Sequence, residues 1–269
     1  MSSPAQAATL DEAAQAADPH TPRRVRHQPR RRTLSVRTVE KIAAHMVRVT
    51  LTGDLEGFVS LGFEDHVKLF FPDGTLDAEG APNMLGRDFT PRHHDAATNT
   101  LDIEFAIHDA GPATRWAAQA KPGDTLALGG PRGSFIIPTA YDWHLLVGDE
   151  TALPAIGRRL AELPTGSRAL VVGEVDGPAD ELAFASKADV TVAWAHRTGA
   201  GPGEGDALAK KLASLKFPAG NYYAWVACES LVAKALRAQL IERGANPKWM
   251  RAAGYWRRGA VAVHEVIES

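Results

Sequence analysis

The hydrophobic pattern of this chain changes its period near Pro138, and that change limits what it can fold into. Before it, apolar residues recur at every second position. Leu101, Ile103, Phe105 and Ile107 alternate with polar neighbours, and residues 33–39, 45–52, 66–71 and 124–128 behave alike. Alternation of period two is the mark of strands with one buried face, and Gly and Pro punctuate these segments at the spacing of a small antiparallel barrel. One helix, over 113–120, interrupts them and stops at Lys121-Pro122-Gly123. After Pro138, short apolar strands (143–147, 169–172, 190–195, 223–227) alternate with helical stretches at 152–163, 180–185, 206–215 and 231–243. Such alternation predicts an open parallel sheet covered on both faces, which binds ligands beyond the carboxyl ends of its strands.

The expected organisation is therefore a disordered tail over 1–31, an antiparallel six-stranded β-barrel over 32–138, and an α/β nucleotide-binding domain over 139–269. The tail is rich in Ala, Pro and Arg and lacks periodicity, so its arginines from Arg23 to Arg32 read as solvated. With 269 residues, 45% of them hydrophobic and 23% charged, two soluble domains are the natural expectation. The net charge of −2 gives no reason to expect a nucleic-acid partner. A single cysteine, Cys228, excludes an internal disulfide, and no Cys/His cluster has the spacing of a zinc or iron–sulfur site. Redox chemistry in such a chain needs an organic cofactor or an external metal. No apolar run is long enough to span a membrane, and no apolar stretch follows Arg23-Arg24 to make an export signal. A cytoplasmic monomer is the expectation.

Two segments carry chemistry. Arg87-Asp88-Phe89-Thr90-Pro91-Arg92 sets a flat aromatic ring beside a hydroxyl and between two guanidinium groups. An aromatic ring stacks on a flat heterocycle, a hydroxyl hydrogen-bonds a ring nitrogen, and guanidinium groups grip phosphate. Strict alternation puts Arg87, Phe89 and Pro91 on one side, so a bend must bring Thr90 to the ring. Read alone, a surface strand with two solvated arginines fits as well. Downstream, residues 108–116, with His108, Gly111, Ala113, Thr114 and Trp116, lead into the inserted helix. Gly111 permits close backbone approach, and a helix N-terminus offers free N–H groups to a pyrophosphate. A plain capped helix with Trp116 as a packing residue is the alternative.

In this order the two motifs resemble those of the siderophore-interacting proteins, a branch of the ferredoxin-reductase-like flavoproteins. Four further stretches resemble that family: residues 63–72, residues 121–134, Gly148-Asp149-Glu150-Thr151 with the residues to Ala155, and Tyr255-Trp256-Arg257-Arg258-Gly259. The resemblance runs from about Leu34 to Gly259. It implies noncovalent FAD, with Arg87, Phe89 and Thr90 on the flavin and ribityl-phosphate side. Arg92, His108, Gly111, Ala113, Thr114 and Trp116 would complete the cradle. The family usually has Tyr where this chain has Phe89, so stacking survives but a phenol hydrogen bond is lost.

The resemblance also implies an electron donor, NAD(P)H or a ferredoxin. Gly148-Asp149-Glu150-Thr151 closes a strand and opens a helix, as does Cys228-Glu229-Ser230, making Asp149, Glu150, Thr151 and Glu229 the candidates for the nicotinamide. Neither segment has the Gly-x-Gly-x-x-Gly fingerprint, and Asp149 and Glu150 serve a helix dipole equally well. His196-Arg197 can recognise a 2′-phosphate or simply end a strand. For the acceptor, the resemblance assigns Lys68 and Arg251 to substrate binding, and Arg257 is a further candidate cation. The lysine some relatives carry after the final glycine is absent; Ala260-Val261 stands there. The expected activity is a FAD-dependent ferric-siderophore reductase that releases Fe(II), with no side chain as catalytic acid. A general NAD(P)H:flavin diaphorase and a siderophore-binding module without turnover are the competing readings.

Overall fold

The structure is a computed structural model and describes residues 18–107, 111–259 and 265–267. His108, Asp109 and Ala110 lie outside the described residues. A short strand β1 (Arg23–Arg26) comes first. There follow β2 (Arg31–Ala43), β3 (Met46–Gly53), β4 (Val67–Leu76), β5 (Pro82–Phe89), β6 (His93–Asp95) and β7 (Thr100–Ala106). Helix α1 (Pro112–Gln119) leads to β8 (Thr125–Gly129) and β9 (Gly133–Ile136).

Seven of these strands form one antiparallel sheet in the order β5-β4-β8-β2-β3-β7-β6. That is one strand more than expected. The three-residue β6 is too short to show alternation, and β5 has little buried apolar periodicity because most of its side chains face outward. The inward set is what the alternation predicts: Leu34, Val36, Val49, Leu51, Leu69, Phe71, Leu101, Ile103 and Phe105 share one core with α1's Ala117. Register here has chemical consequences, because pairing Val67 with Phe89 sets Lys68 opposite Asp88 and Leu69 opposite Arg87.

The tail reading fails over residues 18–31. β1 pairs antiparallel with β9, Arg24 facing Phe135 and Arg26 facing Gly133. His20 packs its ring against Tyr141 and Trp249, at 4.6 and 4.8 Å between centroids, and its carbonyl accepts a 2.9 Å hydrogen bond from the Tyr141 hydroxyl. The arm is held by main-chain pairing and polar anchors rather than by an apolar face, so hydrophobic periodicity could not reveal it.

The second half contains β10 (Trp143–Asp149), α2 (Leu153–Glu162), β11 (Arg168–Val175), β12 (Asp189–His196), α3 (Ala207–Ser214), β13 (Tyr222–Glu229), α4 (Ser230–Glu242), β14 (Met250–Trp256) and β15 (Glu265–Ile267). Their order is β12-β11-β10-β13-β14-β15, with parallel pairing throughout except for antiparallel β15 at the edge. The central β10 is buried along its whole length, and a separate apolar cluster covers each face of the sheet. The helix expected over 180–185 is instead a single 3-10 turn, Pro178–Asp180, followed by extended chain. Leu182 and Phe184 pack on the core from that extended segment, so burial outweighs helical propensity there. The chain runs outward from β10 through β11 to β12, then returns to β13 on β10's other side. This reversal opens a crevice at the carboxyl ends of β10 and β13. Gly148, at the end of β10, is required there, since a Cβ would collide with Ala152 and with the Ala227 carbonyl.

Candidate functional site

A cavity of about 260 Å³ lies where the crevice meets the antiparallel sheet. The end of β5 supplies its floor. Strand geometry stops at Phe89, and Thr90 leaves the pleat, so consecutive residues Phe89 and Thr90 both face the cavity with Arg87. This is the bend that alternation required. The Phe89 ring rests on Phe105 at 4.6 Å and Phe71 at 5.9 Å between centroids, which fixes its plane from behind. Thr90, only 8% exposed, shares a hydrogen bond with the Tyr255 hydroxyl from β14. Two residues from opposite halves of the chain are thus tied across the cavity.

The start of α1 makes one wall, with Gly111, Ala113 and Thr114. Among the described residues no side chain caps this helix: Gly111 stands at the N-cap, Pro112 occupies the first turn, and no acid is present in that turn. Its free N–H groups and positive dipole end accordingly suit an anionic ligand group. Glu104 of β7 completes the floor. Its carboxylate, with side-chain exposure of 2%, is held by Arg48 at 2.6 Å and lies 3.4 Å from Arg92 Nε.

Arg92 is not in the cavity wall. Its guanidinium lies behind it, against Gly157 of α2, and its buried Nε has no hydrogen-bond partner among the described residues. Trp116 also lies elsewhere, packed on Phe71 and Phe105 at 5.7 and 5.8 Å. It is half-buried against that core and is not among the residues lining the cavity. Within these bounds the residues present fit a flavin nucleotide: an apolar ring surface at Phe89, hydroxyls at Thr90 and Thr114, a guanidinium at Arg87 and uncapped amides at α1.

Across the cavity stand Glu150, Thr151 and Pro154 from the β10–α2 turn. Asp149 is turned inward, accepting hydrogen bonds from Trp256 Nε1 at 2.8 Å and Thr151 Oγ1 at 2.6 Å. Burial, helped by the adjacent Glu150, pushes it up to about 6. Glu229 caps α4, accepting from the amides of Leu231 and Val232 at 2.6 and 3.1 Å. Of the four candidates for the nicotinamide, then, Glu150 and Thr151 reach the cavity while Asp149 and Glu229 support the turns behind it. The 2′-phosphate reading of His196-Arg197 is not met. Arg197 is 3% exposed and enclosed by Glu150, Asp176 and Glu174 at 2.6, 2.6 and 3.5 Å, and His196 pairs with Glu181 at 2.9 Å. Cys228 is buried, and burial raises its thiol well above the ordinary range, as for a small core residue.

The cations assigned to substrate are mostly matched by acids. Lys68 Nζ lies 2.7 Å from Asp88, the partner set by register. Arg251 Nε lies 2.8 Å from Glu64 Oε2, which also accepts from Trp225 Nε1 at 3.0 Å. Arg257 is exposed and outside the cavity lining. Sequence reasoning missed Tyr255 and Glu104 as cavity residues; of His66, His93 and His94, candidates by location only, His66 lines the cavity. Tyr255 had been visible only as part of a C-terminal signature, and its reach to Thr90 depends on β13 and β14 pairing.

Two family models divide the chain between them. The siderophore-interacting FAD-binding domain matches residues 35–80 and 75–135, and the siderophore-interacting protein model matches 141–259. The NADPH-dependent ferric-chelate reductase of Escherichia coli K12 is 37% identical over 255 residues, covering 88% of this chain and 97% of its own. The ferric vibriobactin reductase of Vibrio cholerae is 33% identical, covering 81% and 86%. Among solved structures, a siderophore utilization protein from T. fusca superimposes with a TM-score of 0.82 at 38% identity, covering 90% of this chain and 98% of that one. A ferredoxin reductase of a carbazole dioxygenase system, at 17% identity and a TM-score of 0.62 over 82% and 66% of the two chains, has the same fold. With both halves matched in order and the relatives covered nearly end to end, the chain belongs to the siderophore-interacting protein family.

Proposed function

We propose that this protein is a FAD-dependent reductase that transfers electrons from NAD(P)H to Fe(III) held in a siderophore. The observation that carries this reading is the cavity at the junction of the two halves, where Phe89 and Thr90 face Thr151 and Tyr255. The names of the E. coli and V. cholerae relatives support the choice of a ferric chelate as acceptor. Residues 32–138 are read as the flavin unit, a closed barrel, and 139–269 as the donor unit. A cytoplasmic monomer is proposed, since residues of one chain complete the cavity and NAD(P)H is a cytoplasmic reductant. Among the described residues no helix is long and apolar enough to cross a membrane.

FAD, when bound, supplies the exchange between a two-electron hydride donor and a one-electron acceptor. The net reaction oxidises one NAD(P)H, reduces two ferric chelates and releases one proton. The side chains have positioning roles. Phe89 gives the flat apolar surface, kept in plane by Phe105 and Phe71. Thr90, oriented by Tyr255, presents a hydroxyl at the cavity floor. Arg87 and the first-turn amides of α1 would hold the phosphates. Tyr255 and Pro154 narrow the space above the floor and exclude water. Glu150 and Thr151 face the donor side, with Glu150 held in place by Arg197. Fe(II) binds hard oxygen donors less tightly than Fe(III), so the reduced metal leaves its chelate. A ferredoxin is the alternative donor. The pairing of Lys68 and Arg251 with acids favours one competing reading, a general diaphorase with little preference for anionic chelates.

The test is anaerobic. The purified protein, loaded with FAD, is reduced with NADH, NADPH or reduced ferredoxin in turn. A ferric siderophore is then added, and reoxidation is followed by flavin absorbance alongside Fe(II) capture by a chromogenic chelator. Reoxidation with stoichiometric Fe(II) supports the reading. A protein that binds no FAD, or a reduced protein that ferric chelates leave reduced while artificial dyes reoxidise it, would overturn it.

A further inference from the structure

The cavity opens past His66 into two grooves of about 450 and 540 Å³, which meet at His66 and Arg132. Basic residues dominate both. Arg24, Arg26, Arg132 and Arg251 line the first, and Arg30, Arg31, Lys68 and Arg132 the second. Three of these are matched by carboxylates: Lys68 by Asp88, Arg251 by Glu64, and Arg30 by Asp54 at 2.9 Å. The remaining acid of the grooves, Asp65, is buried and accepts from the Ser60 and Ser134 hydroxyls and the Leu61 and Gly62 amides. Arg24, Arg26, Arg31 and Arg132 have no carboxylate partner among the described residues. The uncompensated positive charge beside the cavity therefore comes largely from the N-terminal segment.

The segment is built into the groove rather than laid over it. Gly133 lets β1 approach, since a Cβ there would stand 2.6 Å from the Val25 carbonyl oxygen. His27 donates its amide to the Arg132 carbonyl at 2.9 Å, and its ring lies 2.8 Å from the Ser134 hydroxyl that binds Asp65. Alternation along β1 puts Arg24 and Arg26 on one side. The guanidinium of Arg24 lies 5.1 Å from the Phe135 ring centroid, and that of Arg251 lies 4.6 Å from the same ring. The Phe135 ring thus sets Arg24, which lacks a carboxylate partner among the described residues, beside Arg251, whose charge Glu64 matches.

We propose that the N-terminal strand is part of the acceptor site: Arg24 and Arg26 bind the anionic face of a ferric chelate and set a preference for negatively charged chelates over cationic ones. This rests on the reading of the protein as a ferric-siderophore reductase and adds the charge class of its substrate. The arm delivers charge that Lys68 and Arg251, tied to Asp88 and Glu64, supply only in part. It also makes the acceptor site depend on residues that precede the flavin-binding sheet in sequence.

The experiment compares two probes, the trianionic ferric tris-catecholate and the cationic ferric complex of desferrioxamine B, at low ionic strength on the FAD-loaded full chain. Steady-state reduction is measured for the wild type, for Arg24→Glu with Arg26→Glu, and for Arg24→Lys with Arg26→Lys. Reversing both charges is expected to raise KM for the trianion on the order of tenfold, to lower KM for the cation, and to change kcat less than KM. The difference should shrink as salt rises, and the lysine pair should restore most of the wild-type KM. A general structural defect would move both probes in the same direction, so parallel changes, unchanged KM values or failure of the lysine pair would overturn the inference. If the wild type reduced neither probe, the functional reading itself would fail, an outcome distinct from a wild type that reduces both without regard to charge.

Discussion

Gly133→Ala is expected to undock the N-terminal strand while leaving the two sheets intact. The methyl carbon would stand 2.6 Å from the Val25 carbonyl oxygen, a backbone atom that cannot rotate away. Restoring an ordinary carbon–oxygen contact requires β1 to retreat by about half an ångström or more. The N–H···O bonds of the β1–β9 ladder, near 2.9 Å when well formed, then reach the distance at which they cease to hold. Losing two of them at about 1 kcal/mol each raises the undocked population roughly thirtyfold. Trypsin reads this directly, because residues 1–22 contain no Lys or Arg and the first cleavable bonds lie after Arg23, Arg24 and Arg26. Where opening and closing are fast relative to cleavage, the rate follows the open population. Intact-mass analysis should thus show cleavage within β1 accelerating by about an order of magnitude or more, with the remainder of the chain digested at the wild-type rate. Equal cleavage of variant and wild type within β1 would refute the claim that Gly133 is there to admit the strand.

Three further outcomes are expected. Thr90→Val removes the hydroxyl bonded to Tyr255; a loss of about 1 kcal/mol should weaken FAD roughly fivefold in a fluorescence titration of the apoprotein, and an unchanged Kd would count against Thr90's place at the floor. Arg197→Met strands Glu150, Glu174 and Asp176 without their shared cation; a loss of about 3 kcal/mol is expected in urea unfolding near pH 8, and a smaller one near pH 5, where the buried glutamates, raised already by burial, take up protons. Asp149, pushed up to about 6, holds its proton in the folded state where the unfolded chain has released it, so its contribution makes stability fall as pH rises from about 4 to about 6. Asp149→Asn should flatten that slope, by on the order of 2–3 kcal/mol across the interval, and a stability difference from the wild type that is constant with pH would refute the shift.

The parts legible in the sequence were those written in periodicity and in compact motifs. Alternation at Leu101, Ile103 and Phe105 located a buried strand face, and the strand–helix rhythm after Pro138 located the second sheet. Arg87, Phe89, Thr90, Gly111 and Thr114 are close neighbours in sequence, and they meet in one cavity. Illegible were features that depend on pairing between distant segments. Nothing near Lys68 in sequence announces Asp88; only the β4–β5 register does. Nothing near Arg251 announces Glu64. Arg197 looked available for a phosphate because three strand ends had to be aligned before its carboxylates appeared. The arm over 18–31 was read as a tail because strand pairing through main-chain atoms needs no apolar residues, and its one sequence mark, Gly133, lies more than a hundred residues away.

In the proposed function one cavity faces an anionic donor on one side and an anionic acceptor on the other, and these long-range pairings set the charge around it. The carboxyl ends of β10, β11 and β13 bring together Asp149, Glu150, Glu174 and Glu229, a concentration of acid that would repel any nucleotide phosphate if its charge were unmatched. Glu229 spends its charge on the N-terminus of α4, Glu150 and Glu174 share Arg197, and Asp149, raised by burial, gives its oxygens to Thr151 and Trp256. The acids are thereby held in place by the scaffold, with Arg197 as the cation that Glu150, Glu174 and Asp176 share. On the opposite side the balance is reversed: Asp88 and Glu64 neutralise Lys68 and Arg251, and the arginines left unmatched are carried by the N-terminal arm and by Arg132. A field that is acidic at the donor wall, where Arg197 is shared by three carboxylates, and positive at the outer groove favours an anionic chelate in the groove over the same anion in the donor crevice. On the proposed reading, charge placement separates two negatively charged reactants that use one cavity, through residues outside the ring surface of Phe89 and the hydroxyl of Thr90.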